Sequence, residues 1–247
     1  MKLQVIASSS KANCYALHAE GEILLLDAGV PIKRLLKEVK DFRGIVGCVL
    51  SHEHMDHARC VKDLLERGVR MICSNGTKDA LLPDAPVSQL WTLRAVQLAA
   101  LNHFTVMPFQ TEHDAAEPFG YYIRYEPTGE TLLYATDTYF LRFKFPQVNY
   151  WVVECNYVDS VIDEAANEGE LDLSLRRRLK ESHMSLARLK TALAANDLTE
   201  TRKIVLIHLS DERSDEKRMV SEIAEQTNIE VVAADAGMMI DLELSPF

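Results

Sequence analysis

The chain has 247 residues, which corresponds to one large domain or two small ones. Hydrophobic residues make up 47% and charged residues 26% of the sequence, a composition that is typical of globular proteins and disfavours disorder and fibrous repeats. The 27 basic and 37 acidic residues give a net charge of −10, so we expect no broad basic face for holding duplex DNA.

The apolar segments are too short for a membrane protein. Runs such as Ile23–Leu26 fall far below the roughly 18 residues that span a bilayer, so no contact with a membrane is expected. The N-terminal stretch turns polar after Ile6 and lacks the apolar region of a secretory signal. The five cysteines are scattered without a CxxC pair, which is typical of reduced thiols. These features predict a cytoplasmic protein.

The first third of the chain predicts strands interrupted by helices. Apolar runs at 3–7, 14–19 and 22–29 are separated by turn residues, as in antiparallel strands. Pro31 opens an amphipathic helix, because apolar residues recur at helical spacing from Ile32 to Val39. A buried strand over 45–50, one helix over 58–68 ending at Gly68, and a further strand over 69–74 are expected next.

The remainder repeats this pattern of strands and helices. Strands are predicted over 104–109, 119–126, 131–136 and 151–155, followed by a charged helical stretch from Ser160 to about Ala195. A strand over 203–209, a helix over 214–226 and strands over 229–234 and 238–244 complete the chain. Two mostly β halves with helices and no linker predict an α+β sandwich, with residues 1–247 forming one domain.

Six of the eight histidines belong to one pattern. His52–His57 reads HEHMDH and lies between an apolar strand and a helix. His113, Asp137, His183 and His208 follow, most of them at or just beyond the ends of apolar strands. Imidazole and carboxylate are preferred ligands of zinc and similar ions, and burying so many ionisable groups unpaired is costly. A metal site is therefore predicted, whereas His18 and His103 are interpreted as ordinary structural residues.

The spacing within HEHMDH favours two ions. Two histidines at i and i+2 of extended backbone point to the same side, so His52 and His54 can reach one ion. The chain then turns into the helix, which displaces Asp56 and His57 toward a second ion. Asp137, on a separate strand, can bridge both ions.

The segment HEHMDH, preceded by LLLDAG and followed by spaced His, Asp and His, resembles the metallo-β-lactamase superfamily over essentially the whole chain. The resemblance implies an αββα sandwich, two mixed sheets flanked by helices, with the site at one end of the sheets. HxHxDH is specific for the hydrolytic branch. The redox diiron branch carries Glu where this chain has His54, so electron transfer is disfavoured.

The resemblance also implies a role for each site residue. It assigns His52, His54 and His113 to the first ion, Asp56, His57 and His208 to the second, and Asp137 to both. Asp27 of LLLDAG matches a buried aspartate that orients ligands without touching the metal. The cofactors expected are two divalent ions, with zinc the first choice and Mn or Fe also suited to these donors.

Within the superfamily, the finer similarity is to phosphodiesterases. SSSKANCYAL, TEHDAAEPFGY, VVECNY and IHLSDERS resemble the YycJ-type (WalJ) proteins, a group implicated in nuclease chemistry. HMSLARL around His183 resembles a segment of RNase Z and PhnP-like phosphodiesterases whose His acts near the leaving group, partnered by a Glu that corresponds to Glu154. Only residues 114–136 separate His113 from Asp137, which leaves no room for a tRNA-gripping arm, and the long inserted domain of RNase J-like enzymes is missing; both of those activities are disfavoured.

This resemblance predicts a metal-dependent phosphodiesterase acting on nucleic-acid ends, single strands or small nucleotides. Two ions lower the pKa of bound water from 15.7 toward about 7, which supplies a hydroxide nucleophile. Asp56 would orient that nucleophile, and a protonated His183 held by Glu154 would give a proton to the leaving oxygen. These three residues are the catalytic candidates.

Two basic segments are candidates for substrate contacts. Tyr139–Phe145 interleaves aromatic residues with Arg142 and Lys144, a combination that suits single strands or nucleotide ends. The run 176–180, which begins with Arg176, could hold phosphates. A partly packed loop and a solvated helix face are the respective alternatives.

Two other functions fit parts of the pattern. A thioester or other acyl hydrolase of the glyoxalase II-like type would use the same metals, but His183 and Glu154 favour phosphodiesters. A non-catalytic metal-binding interaction protein is the third possibility, and the complete ligand set argues against it.

Overall fold

A computed structural model of the chain describes residues 1–82, 88 and 90–242, and its strands form two sheets. The first sheet has, in spatial order, β14 (Met239–Asp241), β1 (Lys2–Ser9), β2 (Ala12–Ala19), β3 (Glu22–Leu26), β4 (Ile45–Val49), β5 (Met71–Cys73) and β6 (Leu90–Thr92). The second has β13 (Glu230–Ala233), β12 (Lys203–Ile207), β11 (Tyr150–Glu154), β10 (Glu130–Ala135), β9 (Phe119–Tyr125), β8 (Phe104–Gln110) and β7 (Ala99–Leu101).

Both sheets are mixed in the same way. β3 to β6 run parallel to one another, whereas β14, β1, β2 and β3 pair in antiparallel fashion. In the second sheet, β10 to β13 are parallel and β7 to β10 are antiparallel. Each sheet therefore has a parallel half, and the carboxyl ends of its parallel strands lie along one edge, the usual position of ligand sites in such sheets.

Helices cover the outer faces of the sandwich. The first sheet carries α1 (Ile32–Glu38), α2 (Met55–Ala58), α3 (Val61–Glu66) and α4 (Asn75–Leu81), with Leu35 and Leu64 in its outer apolar cluster. The second carries α7 (Leu186–Ala194) and α8 (Glu216–Thr227) through Leu189 and Ile223. Residues from both sheets fill the central core, so the predicted αββα arrangement is confirmed.

The helix predicted over 58–68 is wrong at its start, because α3 begins only at Val61 and Ala58 is the last residue of the separate helix α2. α2 ends before Cys60, whose backbone N–H donates to the carbonyl oxygen of Ala28 at 2.9 Å. In a continuous helix, this N–H would instead donate to a carbonyl oxygen of the preceding helical turn. The bond to Ala28 therefore interrupts the helix and attaches it to the loop after β3. The break keeps α2 beside the end of β3.

The helical stretch predicted over 160–195 is divided into three helices: α5 (Asp159–Asn167), α6 (Leu173–Ser182) and α7. Gly169, with a φ of 78°, turns the chain between the first two. His183 ends α6 in an extended conformation, with φ of −130° and ψ of 156°. α5 and α6 share a small apolar cluster of their own that includes Ile162 and Leu171.

Several short elements gave no signal in the sequence. α4 has little apolar periodicity and is defined by Ser74, whose side chain accepts a hydrogen bond from the backbone of Thr77. β6 and β7 have three residues each, too few for a recognisable alternation. Of the strand predicted over 238–244, β14 covers the first part, and residues 243–244 lie outside the described residues.

Two further predictions can be compared with the structure. All five cysteines are buried and free, as expected of reduced thiols. In the described parts of the chain, no helix has both the length and the apolar character needed to cross a membrane.

Gly29 fixes the position of α2 against the loop after β3. Its backbone N–H donates to the carbonyl oxygen of Asn13 at 2.9 Å. A Cβ atom at Gly29 would lie 1.7 Å from the backbone oxygen of Asp56 and 2.8 Å from that of Asn13. Only glycine therefore allows β2, α2 and this loop to approach so closely.

We expect Gly29→Ala to lower the free energy of unfolding by about 3 kcal/mol, because the clash is with backbone atoms and cannot be relieved by a side-chain rotation. Gly68→Ala is the matched control, since its added Cβ meets no atom of the described residues within 4 Å. It should cost only about 1 kcal/mol for its left-handed backbone. Urea unfolding followed by circular dichroism measures both changes, and equal losses would contradict this account.

Candidate metal and catalytic site

The candidate site lies where parallel strands of both sheets end. Asp27 follows β3, the HEHMDH segment follows β4, and Asp137, Glu154 and His208 lie at the ends of β10, β11 and β12. His113 enters from the loop between β8 and β9, and His183 from the end of α6. The structure therefore brings together all of the predicted metal and catalytic residues.

Three of these residues have left-handed backbone conformations. The φ angles are 59° at Asp27, 42° at Asp137 and 54° at His208. Each such residue costs about 1–2 kcal/mol when it carries a Cβ atom. Backbone strain of this kind is concentrated at functional sites, where the surrounding structure maintains it.

The first donor group consists of three imidazoles and one carboxylate. His52 Nε2 lies 3.0 Å from His54 Nδ1, which lies 3.3 Å from His113 Nε2. Asp137 Oδ2 is 3.4 Å from the same His113 nitrogen and 3.9 Å from His52 Nε2. Ring nitrogens at such separations converge on one point, which a cation can occupy.

The second donor group is formed by Asp56, His57, Asp137 and His208. His57 Nε2 lies 3.2 Å from Asp56 Oδ2 and 3.3 Å from Asp137 Oδ1. His208 Nδ1 lies 2.6 Å from Asp137 Oδ1. Asp137 thus faces both groups, which is where a residue that bridges two ions would lie.

Asp27 orients histidines of both groups without facing either position. Its Oδ2 accepts from His57 Nδ1 at 2.7 Å and from the hydroxyl of Ser51 at 2.9 Å. Because a carboxylate only accepts, Asp27 fixes a proton on His57 Nδ1, which leaves Nε2 as the ring atom that faces the second group. Ser51 Oγ in turn accepts a hydrogen bond from His52 Nδ1 at 2.9 Å, which leaves His52 Nε2 for the first group.

His113 is oriented in the same manner by a backbone group. Its Nδ1 donates to the carbonyl oxygen of Ser182 at 3.0 Å, so its Nε2 lone pair faces His54. Burial, followed by repulsion from His57, lowers the pKa of His52 well below its ordinary value, and burial also lowers the pKa of His113. Both imidazoles are therefore neutral near pH 7, the form that binds a metal.

The second group has the opposite electrostatic character. Burial favours neutral His208, but the facing Asp137 and Glu154 carboxylates outweigh it and raise the pKa of His208 to about 10. Burial would also raise the pKa of Asp137, but His208 and His57 hold it well below its usual range. Against the effect of burial, Asp137 and Asp27 also raise the pKa of His57, so a metal ion bound here would replace protons of His57 and His208.

His208 provides a test of whether these residues fit a metal. Its Nδ1 is fully buried and has no hydrogen-bond partner among the described residues, although it lies 2.6 Å from Asp137 Oδ1. A buried polar atom without a partner is costly and rare. Two ligand atoms of one metal ion lie close together in this way without forming a hydrogen bond to each other. The residues of the second donor group therefore fit a divalent cation.

His183 and Glu154 form a pair between the two donor groups. His183 Nδ1 lies 2.6 Å from Glu154 Oε1, and the His183 ring centroid is 5.5 Å from that of His113 and 5.3 Å from that of His208. Glu154 Oε2 accepts from the backbone N–H groups of Thr138 and Met184. Glu154 is thus held rigidly, and it holds the His183 ring in turn.

The pair is polarised toward its charged form. Burial alone would lower the pKa of His183, but the attraction and hydrogen bond of Glu154 raise it. Burial would likewise raise the pKa of Glu154, but His183 lowers it. The His183 side chain is 19% exposed, whereas that of Glu154 is fully buried, so the imidazole is the member of the pair that a substrate can reach.

The three candidate substrate-binding residues differ in whether they are paired with acidic residues. Arg142 forms an ion pair with Glu112, and Arg176 pairs with Asp163 of α5 at 2.8 Å. Lys144 is exposed. The neighbouring Arg178 lies beside the site, 3.6 Å from Asp114.

A groove of about 420 Å³ opens beside the site and includes His113, Tyr139 and Arg178 in its walls. Its volume lies within the range of ligand pockets. A larger cavity of about 820 Å³ lies at the opposite end of the sandwich, among Lys2, His18 and Glu130. We assign the chemistry to the smaller groove, because His113 of the first donor group lies in its wall.

Sequence reasoning missed three polar residues that support the site: Asn13, Ser51 and Tyr134. Tyr134 OH donates to Asp27 Oδ2 at 2.6 Å from the opposite sheet. Ser51 immediately precedes HEHMDH, a position that could have suggested its contact with His52. Nothing in the alternation of β10 distinguishes Tyr134 from a core residue.

Comparisons with known proteins show which family the chain belongs to. A family model described as "Beta-lactamase superfamily domain" matches residues 23–209. The chain is similar to exodeoxyribonuclease YycJ of Bacillus anthracis, with 25% identity covering 85% of this chain and 83% of that protein. It is also similar to exodeoxyribonuclease WalJ of Streptococcus pneumoniae, with 24% identity covering 98% and 93%.

Among solved structures, the metallo-β-lactamase fold protein YhfI from Bacillus subtilis superposes with a TM-score of 0.74 at 16% identity, covering 97% of this chain and 99% of YhfI. At that identity the likeness concerns the fold. Because the family model spans the whole stretch from Asp27 to His208, the chain belongs to the metallo-β-lactamase superfamily.

Proposed function

We propose that this superfamily hydrolase is a metal-dependent phosphodiesterase that acts on nucleic-acid ends or small nucleotide diesters. The observation that carries the proposal is the His183–Glu154 pair, 2.6 Å apart and beside both donor groups. Phosphodiester hydrolysis needs a proton donor for the leaving alkoxide, and this pair can supply one. The exodeoxyribonuclease names of the YycJ and WalJ relatives point to the same class of substrate.

We assign the first donor group, His52, His54, His113 and Asp137, to one divalent ion and the second donor group to another. Zinc is the first candidate, and Mn or Fe are the alternatives. When bound, such ions lower the pKa of water and neutralise charge on phosphoryl oxygens. The protein's own contribution is to fix the donors before substrate arrives. Asp27, Ser51 and the Ser182 carbonyl do so through the imidazole protons.

Asp56 is the group that can handle the attacking water. Burial would raise its pKa, but the hydrogen bond and charge of His57 lower it, so Asp56 is an ionised acceptor. Its side chain is 28% exposed, in contrast to the nearly buried Asp137. Asp56 is therefore positioned to orient a water molecule and to accept its proton as the water oxygen bonds to phosphorus.

His183 acts at the other end of the reaction. As the bond between phosphorus and the leaving oxygen breaks, His183 transfers a proton to that oxygen. Glu154 keeps the ring oriented and stabilises its charged form before the transfer. The neutral imidazole then recovers a proton from solvent through its exposed side.

The first prediction concerns the ions. The protein should bind close to two divalent ions, and chelation of both should abolish turnover. Asp137→Ala should lower occupancy in both positions, because its two oxygens face different groups, whereas His52→Ala should empty mainly one. Metal analysis by mass spectrometry after gel filtration measures occupancy.

His18→Ala is the control, since His18 bonds to Gln4 away from the site and should keep the normal metal content. Full activity in excess chelator would exclude a metal mechanism. An equal metal loss in His52→Ala and Asp137→Ala would exclude the bridging assignment of Asp137.

The second prediction tests the proton donor. His183→Ala should lose about 10²–10⁴-fold in kcat on a dinucleotide, whose alkoxide leaving group needs a proton. The loss should be much smaller on bis(p-nitrophenyl) phosphate, because its phenolate leaves without protonation. Glu154→Gln should show the same dependence on leaving group in a weaker form.

The matched control is His103→Ala, because His103 forms a similar pair with Glu22 at 2.9 Å far from the site. It should leave both rates unchanged. Equal losses of activity on the two substrates in His183→Ala would mean that His183 supports substrate binding or folding rather than proton transfer. Loss of a metal ion in this variant would mean that His183 is a metal ligand. Faster turnover of a thioester than of either diester would favour an acyl hydrolase.

The third prediction concerns salt. Because the chain carries a net charge of −10 and Arg142 and Arg176 are paired with acids, few cations can contact a single strand. Each phosphate contact contributes about 0.7 to the salt slope of log affinity for single strands, so two to four contacts give a slope of about −1.5 to −3. Fluorescence anisotropy of a labelled oligonucleotide bound to His183→Ala measures it, and a slope near −7 would contradict the proposal of end recognition.

A further inference from the structure

Tyr139 differs from the other aromatic residues of its segment in what surrounds it. Phe145 packs on Phe109 with ring centroids 4.6 Å apart, and Phe143 approaches the same ring at 6.4 Å. Tyr139 belongs to none of the apolar clusters that the described residues form, and it is partly exposed. It lies instead in the wall of the groove of about 420 Å³, as His113 does. Core packing therefore does not account for this ring.

The backbone at Tyr139 is attached to the loop that carries His113. The Tyr139 N–H donates to the carbonyl oxygen of Glu112 at 3.1 Å, and the Glu112 N–H donates to Thr138 Oγ1 at 2.9 Å. Asp137, two residues before Tyr139, is the carboxylate that faces both donor groups. The two hydrogen bonds therefore fix Tyr139 beside the residues that are assigned to the ions.

Arg188 of α7 fixes the ring of Tyr139. The guanidinium carbon lies 5.3 Å from the ring centroid, which is within the range of a cation–π contact, and the same side chain donates to the carbonyl oxygen of Lys180. In the described part of the chain, no second ring or cation stacks on Tyr139. A ring that is held on one side and borders a groove offers a fixed flat surface to a ligand.

The charges around the groove are compatible with a nucleotide. Among the described residues, each acidic residue of the groove wall is paired with an arginine: Glu112 with Arg142, Asp114 with Arg178 and Glu181 with Arg177. The arginines offset the negative charge that would otherwise repel a phosphate. Because nucleobases stack on aromatic side chains of proteins that bind single strands, a nucleotide suits both the ring and the paired charges.

The groove adjoins the end of the site from which the leaving group departs. Its wall includes Ser182, the residue before His183, and His113, whose ring centroid lies 5.5 Å from that of His183. His183 is the proposed proton donor to the leaving oxygen. The nucleoside attached to that oxygen is therefore the part of the substrate nearest to the groove and to Tyr139.

We propose that the groove is a nucleoside subsite in which Tyr139 stacks against the base of the leaving nucleoside, with Arg188 as a positioning residue for the ring. This inference rests on the proposed phosphodiesterase function and identifies how its substrate is recognised. Stacking requires a flat ring system but no particular pattern of hydrogen bonds, so the subsite accepts any of the four bases. It distinguishes a nucleotide from a simple phosphodiester.

Removal of the ring and removal of the base should have the same effect. The substrates are the dinucleotide of two thymidines and its two abasic versions, each lacking one thymine. The leaving nucleoside is identified as the product released without phosphate. Loss of its base should lower the wild-type kcat/KM about 10- to 100-fold, mainly through KM, because the stack forms before the chemical step. Tyr139→Leu should lose a similar factor on the complete dinucleotide and little on the version without that base.

Three further variants complete the measurement. Tyr139→Phe keeps the ring and should retain the wild-type dependence on the leaving base, and Arg188→Met should show the selective loss in a weaker form. Trp91→Leu is the matched control. Trp91 forms a cation–π contact with Arg70 at the same 5.3 Å, but it lies on β6 and not in the wall of the groove, so kcat/KM should not change on any dinucleotide.

The outcomes separate this inference from the proposed function. Equal losses in Tyr139→Leu with and without the leaving base would assign Tyr139 to folding or to placement of the ions, and would overturn the inference alone. A loss in Tyr139→Phe as large as that in Tyr139→Leu would do the same, because the hydroxyl would then be the important group. A wild-type protein that is insensitive to the leaving base would overturn the inference even if no variant folds. A wild-type protein that hydrolyses none of the dinucleotides would overturn the proposed function as well.

Discussion

One buried carboxylate, Asp27, holds the site together. Burying a charge is costly unless hydrogen bonds compensate, and Asp27 accepts from the Ser51 backbone and hydroxyl, from His57 and from Tyr134. These donors belong to the loop after β4, to α2 and to the opposite sheet. The same bonds that make the carboxylate tolerable therefore join the two sheets and select the proton positions of His52 and His57. The interactions that stabilise the fold are therefore the same ones that orient the site residues.

In the second sheet, the buried carboxylate of Glu154 has an equivalent role. Backbone N–H groups of Thr138 and Met184 hold one of its oxygens, and the other faces His183 and His208. In each sheet, a buried acidic residue at the end of a parallel strand, or just after it, orients imidazole side chains. The two acids differ in what they face: Asp27 faces His57, which is sealed from solvent, whereas Glu154 faces His183, which retains an exposed edge.

The fold and the donor residues could be predicted because their signals are local. Apolar strands end at turn residues, and HEHMDH concentrates ionisable side chains in six positions. The supporting contacts could not, because they depend on pairings across long stretches of chain, such as Tyr134 with Asp27 at a separation of 107 residues. For the same reason the sequence could not show that Arg142 and Arg176 face acidic partners. The break between α2 and α3 also arises from a distant carbonyl, that of Ala28.

The donor groups have a mechanical consequence. Each group draws side chains from both sheets, so ions held there would act as inorganic cross-links across the sandwich and would stabilise it according to their concentration. Separation of the sheets and release of the ions then become a single cooperative event. A fragment that lacks either sheet keeps neither group complete. Hydrolytic capacity would therefore be absent from a partly synthesised or proteolysed chain and would arise only when the last strand carrying a donor, β12, has docked.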